Sequence, residues 1–128
     1  MKAAAVQMTS RRDVEHNFGE AARLILEAAE AGAELVVLPE NFSFLGATDA
    51  ERVAAVEPYG DGPAQRFLAE QAELHRIWIV GGTIPVRDAG EARASSRSLL
   101  VGPDGLTKAY YDKIHLFDVV IPERPSNR

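Results

Sequence analysis

Apolar and polar positions along the chain change period several times, and each change marks an element. Lys2 to Met8 is a short, mostly apolar run closed by Thr9-Ser10, as a buried strand would be. Between Asp13 and about Ala31 the apolar residues Phe18, Ala21, Ala22, Ile25, Ala28 and Ala29 recur at helical spacing. Glu15, Glu20, Arg23, Glu27 and Glu30 mostly fall elsewhere. Asp13 can cap this helix, and Gly32 supplies the left-handed residue that stops it. Leu35-Val36-Val37-Leu38 is a continuous apolar run, typical of a strand covered on both faces, and Pro39 ends it. Thr48 or Asp49 opens a short helix to about Val56, and residues 57–62 read as a loop. Pro63, at the first-turn position that proline tolerates, opens a helix to about His75. Trp78-Ile79-Val80 is another buried strand, ended by Gly81-Gly82. Residues 87–97 are polar and read as a loop. Ser98 to Val101 and Leu106 to Tyr110 flank Gly102-Pro103-Asp104-Gly105, a strong hairpin turn.

The order β-α-β-(α)-α-β-β-β, with buried strands joined by helical crossovers, predicts an α/β layered architecture with a mixed sheet. No internal repeat and no linker divides it. The 128 residues suit one domain or part of one. Hydrophobic residues make up 46%, which excludes a disordered chain. Fourteen Lys and Arg against nineteen Asp and Glu leave a net charge of −5, the wrong sign for a phosphate-binding face, so nucleic acid is not an expected partner. No apolar run approaches a membrane span, and the apolar start is too short for a signal-peptide core. A cytoplasmic protein without membrane contact is the simplest expectation. There is no cysteine, which removes disulfides, thiolate metal sites and cysteine nucleophiles from these residues together.

Common catalytic motifs are missing. There is no Gly-x-Gly-x-x-Gly, no phosphate-loop pattern and no Gly-x-Ser-x-Gly elbow. His16, His75 and His115 are far apart, without ligand spacing, and read as surface or packing residues rather than metal ligands. Ser43, Ser95, Ser96, Ser98 and Ser126 read as turn or solvent-facing residues. Two charged positions remain. Glu40 directly follows a predicted interior strand, and ligand sites in open α/β sheets gather at such carboxyl ends. A carboxylate held there by the strand suits a general base; equally, it could cap or ion-pair the next loop. Lys113 lies in Tyr110-Tyr111-Asp112-Lys113-Ile114-His115-Leu116-Phe117, beyond the last predicted strand. Its ammonium could stabilise a developing oxyanion, or its stem could snorkel along apolar surface to water.

Ala5-Val6-Gln7-Met8 and then Gly32-Ala33-Glu34-Leu35-Val36-Val37-Leu38-Pro39-Glu40 resemble the opening of the nitrilase, or carbon-nitrogen hydrolase, superfamily. Gly102-Pro103-Asp104-Gly105 followed by Tyr111-Asp112-Lys113-Ile114-His115-Leu116-Phe117-Asp118 is similar to that family's lysine motif, in the form of its Nit-type amidase branch. The resemblance implies the N-terminal half of an α-β-β-α sandwich, with helices on one face of the sheet. It also implies a Glu-Lys-Cys triad in which Glu40 is the general base and Lys113 the oxyanion stabiliser. The implied substrate is a small carboxylate-bearing amide, with no metal or organic cofactor.

The pattern holds over residues 1–122 and gives way to a polar tail at 123–128. An asparagine that family members often carry is missing near Ser96-Arg97. The family's cysteine lies some tens of residues beyond its lysine, past the end of this sequence. The chain is therefore expected to be a truncated hydrolase, inactive alone; the alternative is a non-catalytic α/β interaction subunit of a full-length relative. Half a sandwich leaves apolar strand faces open. Every ~400 Å² left wet forfeits about 10 kcal/mol, so a homo-oligomer or other association through the exposed sheet is expected.

Overall fold

The computed structural model describes residues 1–46 and 48–118. The tail at 123–128, with Ser126, lies outside them. The order of elements is β1 (Ala3–Ala5), α1 (Val14–Glu30), β2 (Leu35–Val37), α2 (Asp49–Ala54), β3 (Glu57–Pro58), α3 (Pro63–His75), β4 (Trp78–Val80), β5 (Ile84–Arg87), β6 (Arg93–Val101) and β7 (Thr107–Asp118).

The helix ends follow from local chemistry. The Asp13 side chain accepts from the His16 N–H at the start of α1, and Gly32 takes φ +93° just after its end. Thr48 and Glu51 form a reciprocal capping box on α2. Pro63 stands at the first turn of α3, and Arg76, at φ 56°, closes it.

Seven strands form one mixed sheet among the described residues, in the order β1-β2-β4-β6-β5-β3, with β7 also on β6. β1, β2 and β4 are parallel. β4 and β5 then run in succession along one edge of β6, Val80 opposite Leu100 and Ile84 opposite Arg97. β7 takes the other edge as the second arm of the hairpin. The turn forms at the Gly-Pro-Asp-Gly stretch, where Gly105 has φ +81° and donates to the Gly102 carbonyl at 2.8 Å.

The core lies between one face of the sheet and the pair α1 and α3. Ala21 and Ile25 of α1, with Leu68 and Ala72 of α3, meet Val36, Leu38, Ile79, Leu99 and Val101 from the strands. Phe18, Phe42 and Phe67 cluster in this layer: the Phe18 and Phe67 rings stack with centroids 4.7 Å apart, and Phe42 is tilted against both. The mixed sheet and the helical layer agree with the expected fold class.

Several expectations need correction. Leu35 to Leu38 is not covered on both faces: Val36 and Leu38 are buried, whereas Val37 is 36% exposed. Val37 belongs to an in-register row with Ala5, Val80, Leu100 and Ala109. Every member of that row is at least partly open to solvent. The stretches read as loops hold strands: β3 occupies residues 57–58, and β6 begins at Arg93 rather than Ser98. β5, at residues 84–87 just past Gly81-Gly82 and Thr83, is a further strand with no separate signal in the sequence. Ser95 and Ser96 are buried within β6, not turn or solvent-facing residues, and Ser43, though in the bend after Asn41, is buried as well.

Candidate active site

Glu40 is placed by a strand register that outlives its strand. Leu35 pairs with Trp78 and Val37 with Val80, and the same offset carries through Pro39 to a parallel bridge between Glu40 and Thr83. The Leu38 N–H donates to the Val80 carbonyl at 2.9 Å, and the Asn41 N–H to the Thr83 carbonyl at 3.1 Å. Asn41 itself is left-handed at φ 54°, which turns the chain sharply after Glu40. Opposite, Gly82 has φ +49°, and a Cβ there would stand 1.9 Å from the Pro39 carbonyl oxygen. Only glycine permits that approach. The chain after Glu40 is anchored by Asn17, which is fully buried. Its amide donates to the carbonyls of Arg11 (2.7 Å) and Ser43 (2.8 Å), and its oxygen accepts from the Arg11 N–H (2.8 Å).

Lys113 arrives from β7, 73 positions later. Its Nζ donates to Glu40 Oε2 at 2.9 Å, and the two side chains are 52% and 49% exposed. The lysine is thus half open to water, yet its ammonium ends on a carboxylate rather than in solvent alone. A pair this open to water is worth at most about 1 kcal/mol, too little to be explained as a stability device. An ammonium has three N–H donors and a carboxylate two oxygens. Among the described residues this is the pair's one hydrogen bond, which leaves Oε1 and two N–H groups for a reactant. An open groove of about 420 Å³, lined by Val6, Gln7, Met8, Thr9 and Pro39, lies at the carboxyl ends of β1 and β2, and Pro39 directly precedes Glu40.

The polar stretch before the hairpin hides a second charged cluster. Arg97 is 1% exposed and is the largest fully buried side chain. Its guanidinium donates to both oxygens of Asp88 (2.9 Å each) and both of Asp112 (2.5 and 2.9 Å). The rings of Tyr59 and Tyr110 flank it, with centroids 4.6 and 4.1 Å from Cζ. Hydrogen bonds from Arg97 hold the Asp88 carboxyl below the usual range against an opposing effect of burial. Hydrogen bonds to Asp112 and then Asp88 push the guanidinium far above its ordinary value. Nothing in the spacing of Arg97 marks it as buried; the aspartates either side of it in sequence were the only available signal.

A family model described as carbon-nitrogen hydrolase matches residues 2–128, nearly the whole sequence. The chain belongs to the carbon-nitrogen hydrolase family. It is 42% identical over 122 residues to a protein from Synechocystis named deaminated glutathione amidase, a match covering 94% of this chain and 44% of that one. To the human omega-amidase NIT2 it is 38% identical, covering 93% of this chain and 42% of the relative. It therefore spans less than half the length of these curated relatives. Among solved structures, the NitFhit protein of C. elegans superimposes with a TM-score of 0.73 at 34% identity, covering 96% of this chain and 30% of that one. Nit3 of Saccharomyces cerevisiae, a member of the nitrilase superfamily, gives 0.72 at 31% identity, covering 83% and 41%. The carbon-nitrogen hydrolase fold and the resemblance to Nit-type amidases are thus borne out. Among the described residues no helix is long and apolar enough to cross a membrane.

Proposed function

We propose that this chain carries the general base and the oxyanion-stabilising cation of an amidase that acts on a small carboxylate-bearing amide. The observation that supports it most is the 2.9 Å pairing of Glu40 with Lys113 at the end of an interior strand. In this reading a thiol gives its proton to Glu40 as its sulfur attacks the amide carbon. The carbonyl oxygen gains the negative charge, and an ammonium N–H of Lys113 not used on Glu40 meets it. Collapse breaks the carbon–nitrogen bond. The leaving nitrogen takes the proton back from Glu40 and departs as ammonia, and water then hydrolyses the thioester to acid and free thiol. These 128 residues contain no cysteine, so the thiol comes from polypeptide other than these residues. By this reading the 128-residue chain is inactive alone.

The test begins with the coding DNA beyond codon 128. A continuous frame that encodes a cysteine, expressed whole, should release ammonia from a panel of small amides. Glu40→Gln and Lys113→Met should each reduce that rate by two orders of magnitude or more. Turnover that survives Glu40→Gln refutes the assignment, as does ammonia release by the 128-residue chain itself.

A second reading, a non-catalytic subunit that binds a full-length relative or a second copy of itself, is favoured by the open apolar row from Ala5 to Ala109. Sedimentation separates the two. Concentration-dependent association reduced by Val37→Asp supports a docking role for this face, and a concentration-independent monomer removes it.

A further inference from the structure

We propose that Arg97 is the positioning residue for Lys113: it clamps the last regular pair of the β6–β7 hairpin, from which a one-residue register slip aims the lysine at Glu40. This rests on the function proposed for that pair. The hairpin is regular from Leu100 opposite Ala109 to Arg97 opposite Asp112, and then Ser95 stands opposite His115. Two steps along β6 thus correspond to three along β7, so the backbone of Lys113 and Ile114 together opposes Ser96. Such an extra residue bends its strand and redirects the side chain it carries. It also weakens the ladder at that point, so the register beside it needs another fixture.

Arg97 provides one. Asp112 directly precedes Lys113 and accepts two hydrogen bonds from the guanidinium. The guanidinium is itself held by Asp88, just past the end of β5, and by the rings of Tyr59 and Tyr110. A planar fork gripping two carboxylates fixes orientation in a way a single ammonium cannot. The buried Ser96 hydroxyl, opposite the extra residue, has no hydrogen-bond partner among the described residues. It therefore does not substitute for the clamp.

The chain has only three lysines, Lys2, Lys108 and Lys113. Selective ¹⁵N,¹³C-lysine labelling of the 128-residue protein therefore gives three side-chain signals, two of them internal controls. Glu40→Gln should shift the Lys113 signal. In folded Arg97→Gln protein that signal should already be displaced, and adding Glu40→Gln should move it no further. Asp112→Asn, which leaves Arg97 its contacts with Asp88 and the rings, should do the same, and it decides the matter if Arg97→Gln does not fold. Ile25→Val, a core change remote from the hairpin, should leave the response to Glu40→Gln intact. An unaltered response in Arg97→Gln or Asp112→Asn overturns the clamp alone, and so does its loss in Ile25→Val. If Glu40→Gln fails to move Lys113 in the otherwise unaltered chain, the pairing itself fails, and the proposed function with it.

Discussion

Gly82→Ala probes how Glu40 is held without touching either charged residue. At φ +49° an alanine pays the left-handed penalty of about 1–2 kcal/mol. Its Cβ would in addition meet the Pro39 carbonyl oxygen at 1.9 Å and the Leu38 carbonyl oxygen at 2.7 Å, both backbone atoms. Relief requires the β2 extension and the β4–β5 junction to part by more than an ångström. The hydrogen bonds on either side, Leu38 to Val80 and Asn41 to Thr83, then stretch or break. At about 1 kcal/mol for each of these, the total is about 3–4 kcal/mol. Gly90→Ala is the matched control: its φ is +83°, yet a Cβ there meets nothing within 4 Å, so only the conformational penalty applies. Urea denaturation at one fixed protein concentration should place Gly82→Ala at least ~1.5 kcal/mol below Gly90→Ala. Equal losses for the two variants would show that the close approach at Pro39 does not exist, and the placement of Glu40 described above would fall with it.

Asn17→Ala removes three hydrogen bonds and leaves the Arg11 and Ser43 carbonyls without that partner; it should cost about 2–4 kcal/mol in the same assay, against under 1 kcal/mol for an exposed site such as Glu15→Ala. Stability should fall on acidification partly through Asp88. Its carboxyl is held below its unfolded value, so its contribution is complete above the ordinary carboxylate range and is lost as pH drops through the lower folded value. Arg97 stays charged throughout. The acid limb of the urea midpoint from pH 6 to pH 2 should therefore flatten in Asp88→Asn; an unchanged limb contradicts the Arg97 pairing.

The elements legible in the sequence were those whose periodicity is local. The face of α1, the caps at Asp13, Thr48 and Pro63, and the Gly-Pro-Asp-Gly turn each depend on neighbours within a few positions. Only the first half of β6, Arg93-Ala94-Ser95-Ser96-Arg97, escapes a local reading: it is polar by composition, and a strand of that kind is stable only with partners far away. Arg97 is buried because Asp88, Asp112, Tyr59 and Tyr110 converge on it, and no local period encodes four such contacts. Glu57 gave no signal for a similar reason: it is buried because its carboxylate accepts from the Ala64 N–H and the Gln65 amide at the start of α3. Glu40 is marked by the strand before it and Lys113 by its aromatic and aliphatic neighbours in sequence, while the roles of both rest on the resemblance. What brings them together is long-range register: an offset between β2 and β4 that runs on to Thr83, and a slip in β7 beside Asp112.

The meeting of Glu40 and Lys113 can be tested chemically in the unmodified chain. A zero-length carbodiimide joins a carboxylate to an amine only where the two are in contact, and peptide mass spectrometry then locates the bond. Lys108 and Asp104, 2.6 Å apart and also exposed, provide the positive control. We expect an amide bond between Glu40 and Lys113 at a yield comparable to that of the control, and its disappearance in Glu40→Gln. Efficient coupling of Lys108 to Asp104 with no Glu40–Lys113 product would contradict the convergence of these two residues.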